Sequence, residues 1–333
     1  LEAIYAVLRS KSFRPYSTRA DWVPRGKVDE GTHVRAILED RNRFEIQAEL
    51  NRAAGEANWD FKLDSKRATA STLRARLSVV VFSPDDHAIV RQGPELRREY
   101  FDDVLSDVCP GYVETLERYN RSLKSRNALL KRETHSIEEI ASWTGVLAEA
   151  AAQLANLRRE IFPEFRELFL KIGGELFTGF DSELRADLGV DVPDPDGTGH
   201  KASHFLEAFR ASWEADRATG WTHRGPHRDD LVIGLGEIDA RRGFSQGQAR
   251  LLALALRWTH ASWVARQRRE TPLFLMDDFS SELDTMRRGR LLELIQGLEG
   301  QIFLTGTDPR MVDSQGLSEY TKYNILGGFL SPA

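Results

Sequence analysis

The 333-residue chain has almost nothing with which to cross-link itself. Its single cysteine, Cys109, excludes an internal disulfide and fits a reducing compartment. A lone thiol of this kind serves more often as a small buried hydrophobe than as a nucleophile. No apolar run reaches the ~18 residues of a membrane-spanning helix, and no basic n-region followed by an apolar h-region marks a secretory signal. The expectation is therefore a soluble, cytoplasmic chain without a membrane partner. Internal repeats and low-complexity tracts are missing too. The net charge of −5 gives no chain-wide pull on polyanions, so any contact with nucleic acid needs a local basic face. What is present is 41% apolar residues in a chain long enough to bury a substantial core, which excludes wholesale disorder.

The apolar pattern changes twice along the chain. LEAIYAVL spaces Leu1, Ile4, Tyr5 and Leu8 as a helix does, and HVRAILED and RFEIQAEL alternate about a polar turn at 40–43, which predicts a hairpin. WDFKLDS is a third extended piece. RLSVVVFSP is a continuous apolar run closed by Pro84 and suits a strand buried on both faces. From Pro94 to about Phe177 long amphipathic helices are predicted. Val113, Leu116, Tyr119, Leu123 and Leu130 lie on one stripe, Ser136 and Glu139 make a capping box, and Pro163 is expected to kink or interrupt the last helix. VPDPDGTGHK reads as a loop and ASHFLEAFRASWEADRATG as one further helix ended by Gly220. A hairpin over GPHRDDLVIGLGEID, a helix after Ser245, the strand PLFLMDD, a helix over about 284–298 and the strand QIFLTG then follow. Helices alternating with short apolar strands predict a largely parallel sheet. The fold class is thus α/β, with a body over 1–88 and 218–333 and an inserted all-helical arm lobe over 89–217.

Two stretches carry chemistry. TPLFLMDDFSSELD ends a buried strand in Asp277 and Asp278, at the sheet edge where α/β proteins bind ligands. One carboxylate suits a Mg²⁺ ion and the other a nucleophilic water, although two acids can also simply close a strand. GFSQGQARLLALAL opens an apolar helix with Ser245, Gln246, Gly247 and Gln248. Ser caps the helix, and small Gly247 leaves room for an anion at unpaired N–H groups, a site suited to phosphate. An ordinary capped helix has the same beginning.

The order of these motifs resembles the nucleotide-binding domain of the ABC ATPases. By that resemblance Ser245, Gln246, Gly247 and Gln248 are the signature that closes on ATP held by a second subunit. Asp277 is the Walker B acid on the metal side, and Asp278 is the catalytic carboxylate. Ser280 to Asp284 form the D-loop, and Thr307 with Asp308 take the switch position. FSPDD at 82–86, RYNRSLKSRNALLK at 118–131 and GPHRDDL at 225–231 narrow the resemblance to the RecF family, over residues 1–308. His227 and Arg228 would then lie near the nucleotide. The family implies an ATP- and Mg²⁺-dependent DNA clamp of DNA replication, recombinational repair and the SOS response. It would close as an ATP-dependent homodimer on duplex DNA at single-strand junctions, with RecR and RecO as partners, at the bacterial nucleoid.

Departures from that pattern set further expectations. No G-x-x-x-x-G-K-[ST] occurs in the 333 residues, so the phosphate cradle of the family's Walker A is not among them. The opening LEAIYAVLRSKSFR resembles the stretch that directly follows a RecF P-loop, as if the chain were cut there. The expectation is that these residues alone bind no ATP usefully and are inactive, and that a chain with the P-loop is a slow DNA-dependent ATPase. Asp278 agrees with RecF where ABC transporters have Glu, and TGTD lacks the transporters' switch His. Arg9, Lys11, Arg14, Arg19, Arg25 and Lys27, and Arg118, Arg121, Lys124, Arg126, Lys131 and Arg132 on the arm, could neutralise DNA phosphates or equally be solvated faces. The alternative function is a nucleotide-independent DNA-binding or interaction fragment. An SMC-like structural ATPase would need a far longer arm.

Overall fold

In the computed structural model the described residues are 1–9, 11–14, 32–39, 43–53, 56–132, 137–177, 183–278, 300–307, 320–326 and 329–333, with 289, 293 and 295–297. The first part runs α1 (Glu2–Arg9), β1 (Thr32–Glu39), β2 (Arg43–Ala53), β3 (Glu56–Leu63), β4 (Lys66–Ala68), α2 (Ala70–Arg76) and β5 (Val79–Phe82). Helices follow: α3 (His87–Arg91), α4 (Pro94–Val108), α5 (Tyr112–Leu130) and α6 (Ile137–Leu176). Then come β6 (Leu184–Gly189), α7 (Ala202–Ala211), α8 (Trp213–Thr219), β7 (Asp230–Leu235), β8 (Ile238–Asp239) and α9 (Ala240–Gly243). The last described elements are α10 (Gln246–Arg268), β9 (Leu273–Met276), β10 (Ile302–Leu304), β11 (Tyr323–Leu326) and β12 (Phe329–Pro332).

The centre is a parallel sheet in the order β10-β9-β5, with Val79 beside Leu273 and Ile302 beside Phe274. VVVF and LFLM are buried at every position, as continuous apolar runs in a covered parallel sheet must be. Side chains alternate between its faces. Val79, Val81, Leu273 and Leu275 join Tyr5 and Leu8 of α1, Ile46 of β2 and Phe61 of β3 in one core. Val80, Phe82, Phe274 and Met276 face the other way, into a larger core with α10 and the arm. The antiparallel β1-β2-β3-β4 sheet thus covers one side and α10 the other. Apolar on all sides from Leu251 to Leu256, α10 is the buried central helix.

The arm corrects three expectations. Helix α6 continues through Pro163 for 40 residues, roughly 60 Å, without interruption. Phe162 and Phe165 flank the proline and meet Phe101 edge-on, while Phe165 also meets Trp263 of α10. Their burial offsets the ~3 kcal/mol that an interior proline costs. The single helix expected after the loop is two, α7 and α8, divided at Ser212. The break sends Phe209 into the main core and Trp213 onto Leu129, Leu130 and Ile140. The span 89–217 is not all-helical as expected, because it holds strand β6, which finds its hydrogen-bond partner far along the chain, pairing antiparallel with β7 of the later hairpin. Ser136 and most of the helix expected over 284–298 lie outside the described residues.

Buried ion pairs fasten the layers. Arg9 grips the Asp107 carboxylate and donates to the Val79 carbonyl at 2.8 Å, while His260 Nε2 lies 2.9 Å from Asp107 Oδ2. Burial pushes the Asp107 carboxyl up, but Arg9 and His260 outweigh it and hold it well below the usual carboxylate range. Burial also holds the His260 ring below its ordinary pKa, against the pull of Asp107. An unfolded His260 takes up a proton near pH ~6.5 that the folded state refuses. Its contribution to stability is therefore complete above that pH and is lost on acidification. Thermal unfolding followed from pH 7 to 5 is expected to show a falling Tm, with a shallower fall in His260→Gln. A residual slope remains in that variant because burial holds His227 down likewise.

Candidate nucleotide site

The chain leaves β9 at the carboxyl edge of the parallel sheet, and both neighbouring strands fix that exit. Asp277 N donates to the Phe82 carbonyl at 2.9 Å, and Thr305 N donates to the Met276 carbonyl at 2.9 Å. Register therefore brings Thr305, just past β10, against the two acids. Its hydroxyl donates to Asp277 Oδ1 at 2.8 Å and accepts from Asp278 N at 3.0 Å. One side chain orients both carboxylate residues. Asp278 has φ +45°, a left-handed conformation that non-glycine residues adopt at some cost and that recurs at functional sites. The second carboxylate oxygen of Asp277, Oδ2, lies 3.7 Å from Arg14 Nη2, beyond hydrogen-bond reach. A carboxylate pre-aimed by a hydroxyl, with its other oxygen only loosely approached by a cation, is a hard-oxygen donor set that suits Mg²⁺.

The start of α10 faces outward. Ser245 Oγ accepts from Gln248 N at 3.3 Å and Gln248 Oε1 accepts from Ser245 N at 2.8 Å, a reciprocal capping box. Buried Phe244 anchors it, its carbonyl held by Arg91 Nη1 at 3.0 Å. Ser245 and Gln246 are exposed, and a Cβ built on Gly247 would meet nothing within 4 Å. Ser245 and Gln248 are thus occupied with each other, while the N–H groups of Gln246 and Gly247, in the first turn, have no partner within the helix. Such a terminus receives an anion.

Other expected site residues are placed differently. Thr307 is exposed beyond β10, while Thr305, two residues earlier, makes the contacts. Asp284 and Asp308 lie outside the described residues, as do Arg19, Arg25 and Lys27. His227 spends both ring nitrogens within the chain, Nδ1 on Tyr119 Oη at 2.5 Å and Nε2 on the Thr222 carbonyl at 2.9 Å. It therefore has no ring nitrogen left for a nucleotide, and it joins the GPHRDDL segment to arm helix α5. Arg228 beside it is exposed. Two of the basic residues offered for DNA are structural. Arg9 is spent on Asp107, and Arg126 is buried, its guanidinium 2.8 Å from Asp216 Oδ2 and 2.6 Å from Thr222 Oγ1. Lys11 pairs with Asp103 at 3.1 Å, and Arg118 with Glu149 at 3.3 Å. Asp86 of the FSPDD stretch holds Arg257 of α10 at 2.7 Å, so that motif locks the central helix.

Sheet, acid edge and outward helix start together define the head of an ABC-type ATPase. Comparison with known proteins agrees. The RecF/RecN/SMC N terminal domain family matches residues 25–322. DNA replication and repair protein RecF of Anaeromyxobacter dehalogenans (strain 2CP-C) is 36% identical over 337 residues, covering 100% of this chain and 89% of the relative. The protein of that name from Chloroflexus aurantiacus (strain ATCC 29364 / DSM 637 / Y-400-fl) is 35% identical over 348 residues, covering 98% of this chain and 89% of its own. A solved structure of the recombination mediator protein RecF-ATP in the RecFOR pathway superposes with a TM-score of 0.84 at 24% identity, over 100% of this chain and 88% of that one. An Smc head bound to the C-winged helix domain of ScpA shares the fold more distantly, with a TM-score of 0.50 at 15% identity over 91% and 74% of the two chains. The chain belongs to the RecF family. Among the described residues no helix is long and apolar enough to cross a membrane.

Proposed function

We propose that this protein is an ATP-dependent DNA-binding clamp of RecF type, acting in recombinational repair of single-strand gaps and stalled replication forks. Residues 1–88 and 218–333 serve as the ATPase lobe and 89–217 as the arm lobe. Two copies sandwich ATP, close on duplex DNA near single-strand junctions, and work with RecR and RecO. The observation that carries the reading is the start of α10. Ser245 and Gln248 cap each other while the first-turn N–H groups are left without helical partners beside an open Gly247, half of a phosphate site that a second chain completes.

Asp277, held by Thr305, would bind Mg²⁺ with Arg14 giving way, and Asp278 would orient the attacking water and take its proton. Bound Mg²⁺ and ATP supply charge neutralisation and the phosphoryl group to be cleaved. No G-x-x-x-x-G-K-[ST] lies within the 333 residues, so nucleotide experiments are made on protein in which such a segment precedes Leu1. Ser245→Arg fills the space before the helix start and leaves the acid edge intact. Sedimentation with a non-hydrolysable ATP analogue is expected to give a dimer for the unaltered protein and a monomer for Ser245→Arg, which still binds nucleotide. A dimer in both would end the trans-clamp reading. DNA affinity indifferent to nucleotide would favour a nucleotide-independent binding module instead.

A further inference from the structure

Among the described tryptophans Trp221 is the most exposed. It keeps 54% of its surface open, whereas Trp59, Trp143 and Trp213 are half-buried and Trp258 and Trp263 are buried. A buried network holds its loop still. Gly220 turns the chain with φ +73°. Thr222 N donates to Asn127 Oδ1 at 2.9 Å, Thr222 Oγ1 accepts from buried Arg126, and His223 donates from its backbone N to Asp216 Oδ1 at 3.0 Å. The indole is thereby fixed against the end of α5, where Lys131 Nζ lies 3.3 Å from the ring centroid. Only glycine permits this approach, since a Cβ at 220 would come within 2.7 Å of Lys131 Cγ. One face of the ring carries an ammonium group, and much of the remainder is open.

The helix beneath it is charged in one sense. By helical periodicity Arg121, Lys124 and Lys131 share the side of α5 opposite buried Ser122, Arg126 and Leu129. Arg121 and Lys124 are exposed and pair with no carboxylate among the described residues. Arg118, in contrast, is engaged by Glu149. The stripe runs about 15 Å along the helix, and Glu117 and Glu114 bound it at the far end. A rigid indole at one end of a stripe of cations matches a polyanion whose bases are free to stack. Duplex DNA hides its base faces inside the stack. A protein partner would want aliphatic surface around the indole, and α5 presents cations there.

We propose that Trp221 and the basic side of α5 form a site for single-stranded DNA, with phosphates on Arg121 and Lys124 and one base stacked on the open face of Trp221. The proposal rests on the DNA-binding reading above and says which strand the arm takes. Binding of labelled oligo(dT) and of a hairpin duplex is measured by anisotropy on protein with a P-loop segment before Leu1, in the presence of a non-hydrolysable ATP analogue, with unchanged thermal unfolding as a check on each variant. Trp221→Ala is expected to lose roughly 5- to 100-fold on oligo(dT) and nothing on the duplex. Trp221→Phe retains most of the affinity but loses the fluorescence quenching that oligo(dT) produces in the unaltered protein. Arg121→Glu with Lys124→Glu weakens oligo(dT) binding and lowers its salt slope by about 1 to 2. Unchanged oligo(dT) affinity in Trp221→Ala, an equal loss on both ligands, or binding of duplex alone by the unaltered protein would each overturn the site. Failure of the unaltered protein to bind either ligand would instead overturn the DNA-binding reading itself.

Discussion

Asp278→Asn, in protein carrying a P-loop before Leu1, is expected to lower ATP turnover by about 100- to 10,000-fold, the usual loss when a general base is removed, with nucleotide binding and dimerisation retained. Asparagine keeps the size of the side chain and tolerates the left-handed backbone that Asp278 adopts at φ +45°, so the exit from β9 is undisturbed. The substitution removes the carboxylate's charge and with it the ability to take a proton from water, while leaving its shape. Asp277→Asn should behave differently. It weakens the oxygen that would hold the metal, so that Mg²⁺-dependent nucleotide binding falls first. Thr305→Val separates the two effects further, because it removes the hydroxyl bonded to Asp277 Oδ1 and to Asp278 N but neither carboxylate. Single-turnover hydrolysis beside nucleotide binding distinguishes the three. Turnover by Asp278→Asn equal to that of the unaltered protein would remove Asp278 from catalysis.

What could be read from the sequence was whatever local pattern decides. VVVF and LFLM are apolar at every position because both faces of the sheet are covered, and Ser245 with Gln248 forms the capping box that a serine three residues ahead of a glutamine implies. What could not be read depends on partners far along the chain. Arg9 and Arg126 sit in helices among other basic residues and look solvated until Asp107 and Asp216 arrive, 98 and 90 residues away. Thr305 is an ordinary residue after a strand until the register of β9 and β10 puts its hydroxyl between two acids. Pro163 would break a helix standing alone, but it lies between Phe162 and Phe165, whose packing is tertiary. Tertiary burial overrode local propensity in that case.

Asp216→Ala is expected to destabilise the protein by about 3–5 kcal/mol, the cost of leaving a buried charge without its counterion. The arithmetic is set by geometry: the side chains of Arg126 and Asp216 are 1% and 0% exposed, so neither can turn to water. Arg126 keeps Thr222 Oγ1 at 2.6 Å, Thr144 Oγ1 at 3.1 Å and the face of Phe209 at 5.2 Å, but none of these carries a negative charge. Arg126→Leu should cost less. Asp216 then still accepts from His223 N at 3.0 Å and keeps His223 Nδ1 at 2.9 Å, so its carboxylate retains hydrogen-bond partners. The double variant Asp216→Ala with Arg126→Leu should recover part of the loss, since it leaves no buried ion at this site. Chemical denaturation of the four proteins, read as a double-mutant cycle, checks this order. Equal destabilisation by both single variants would mean that the pair acts by packing rather than by charge. The same cycle bears on the arm's function, because Arg126 and Asp216 hold the loop on which Trp221 stands. Asp216→Ala should therefore weaken oligo(dT) binding even where the protein remains folded, and Arg126→Leu, which spares the His223 anchor, should weaken it less.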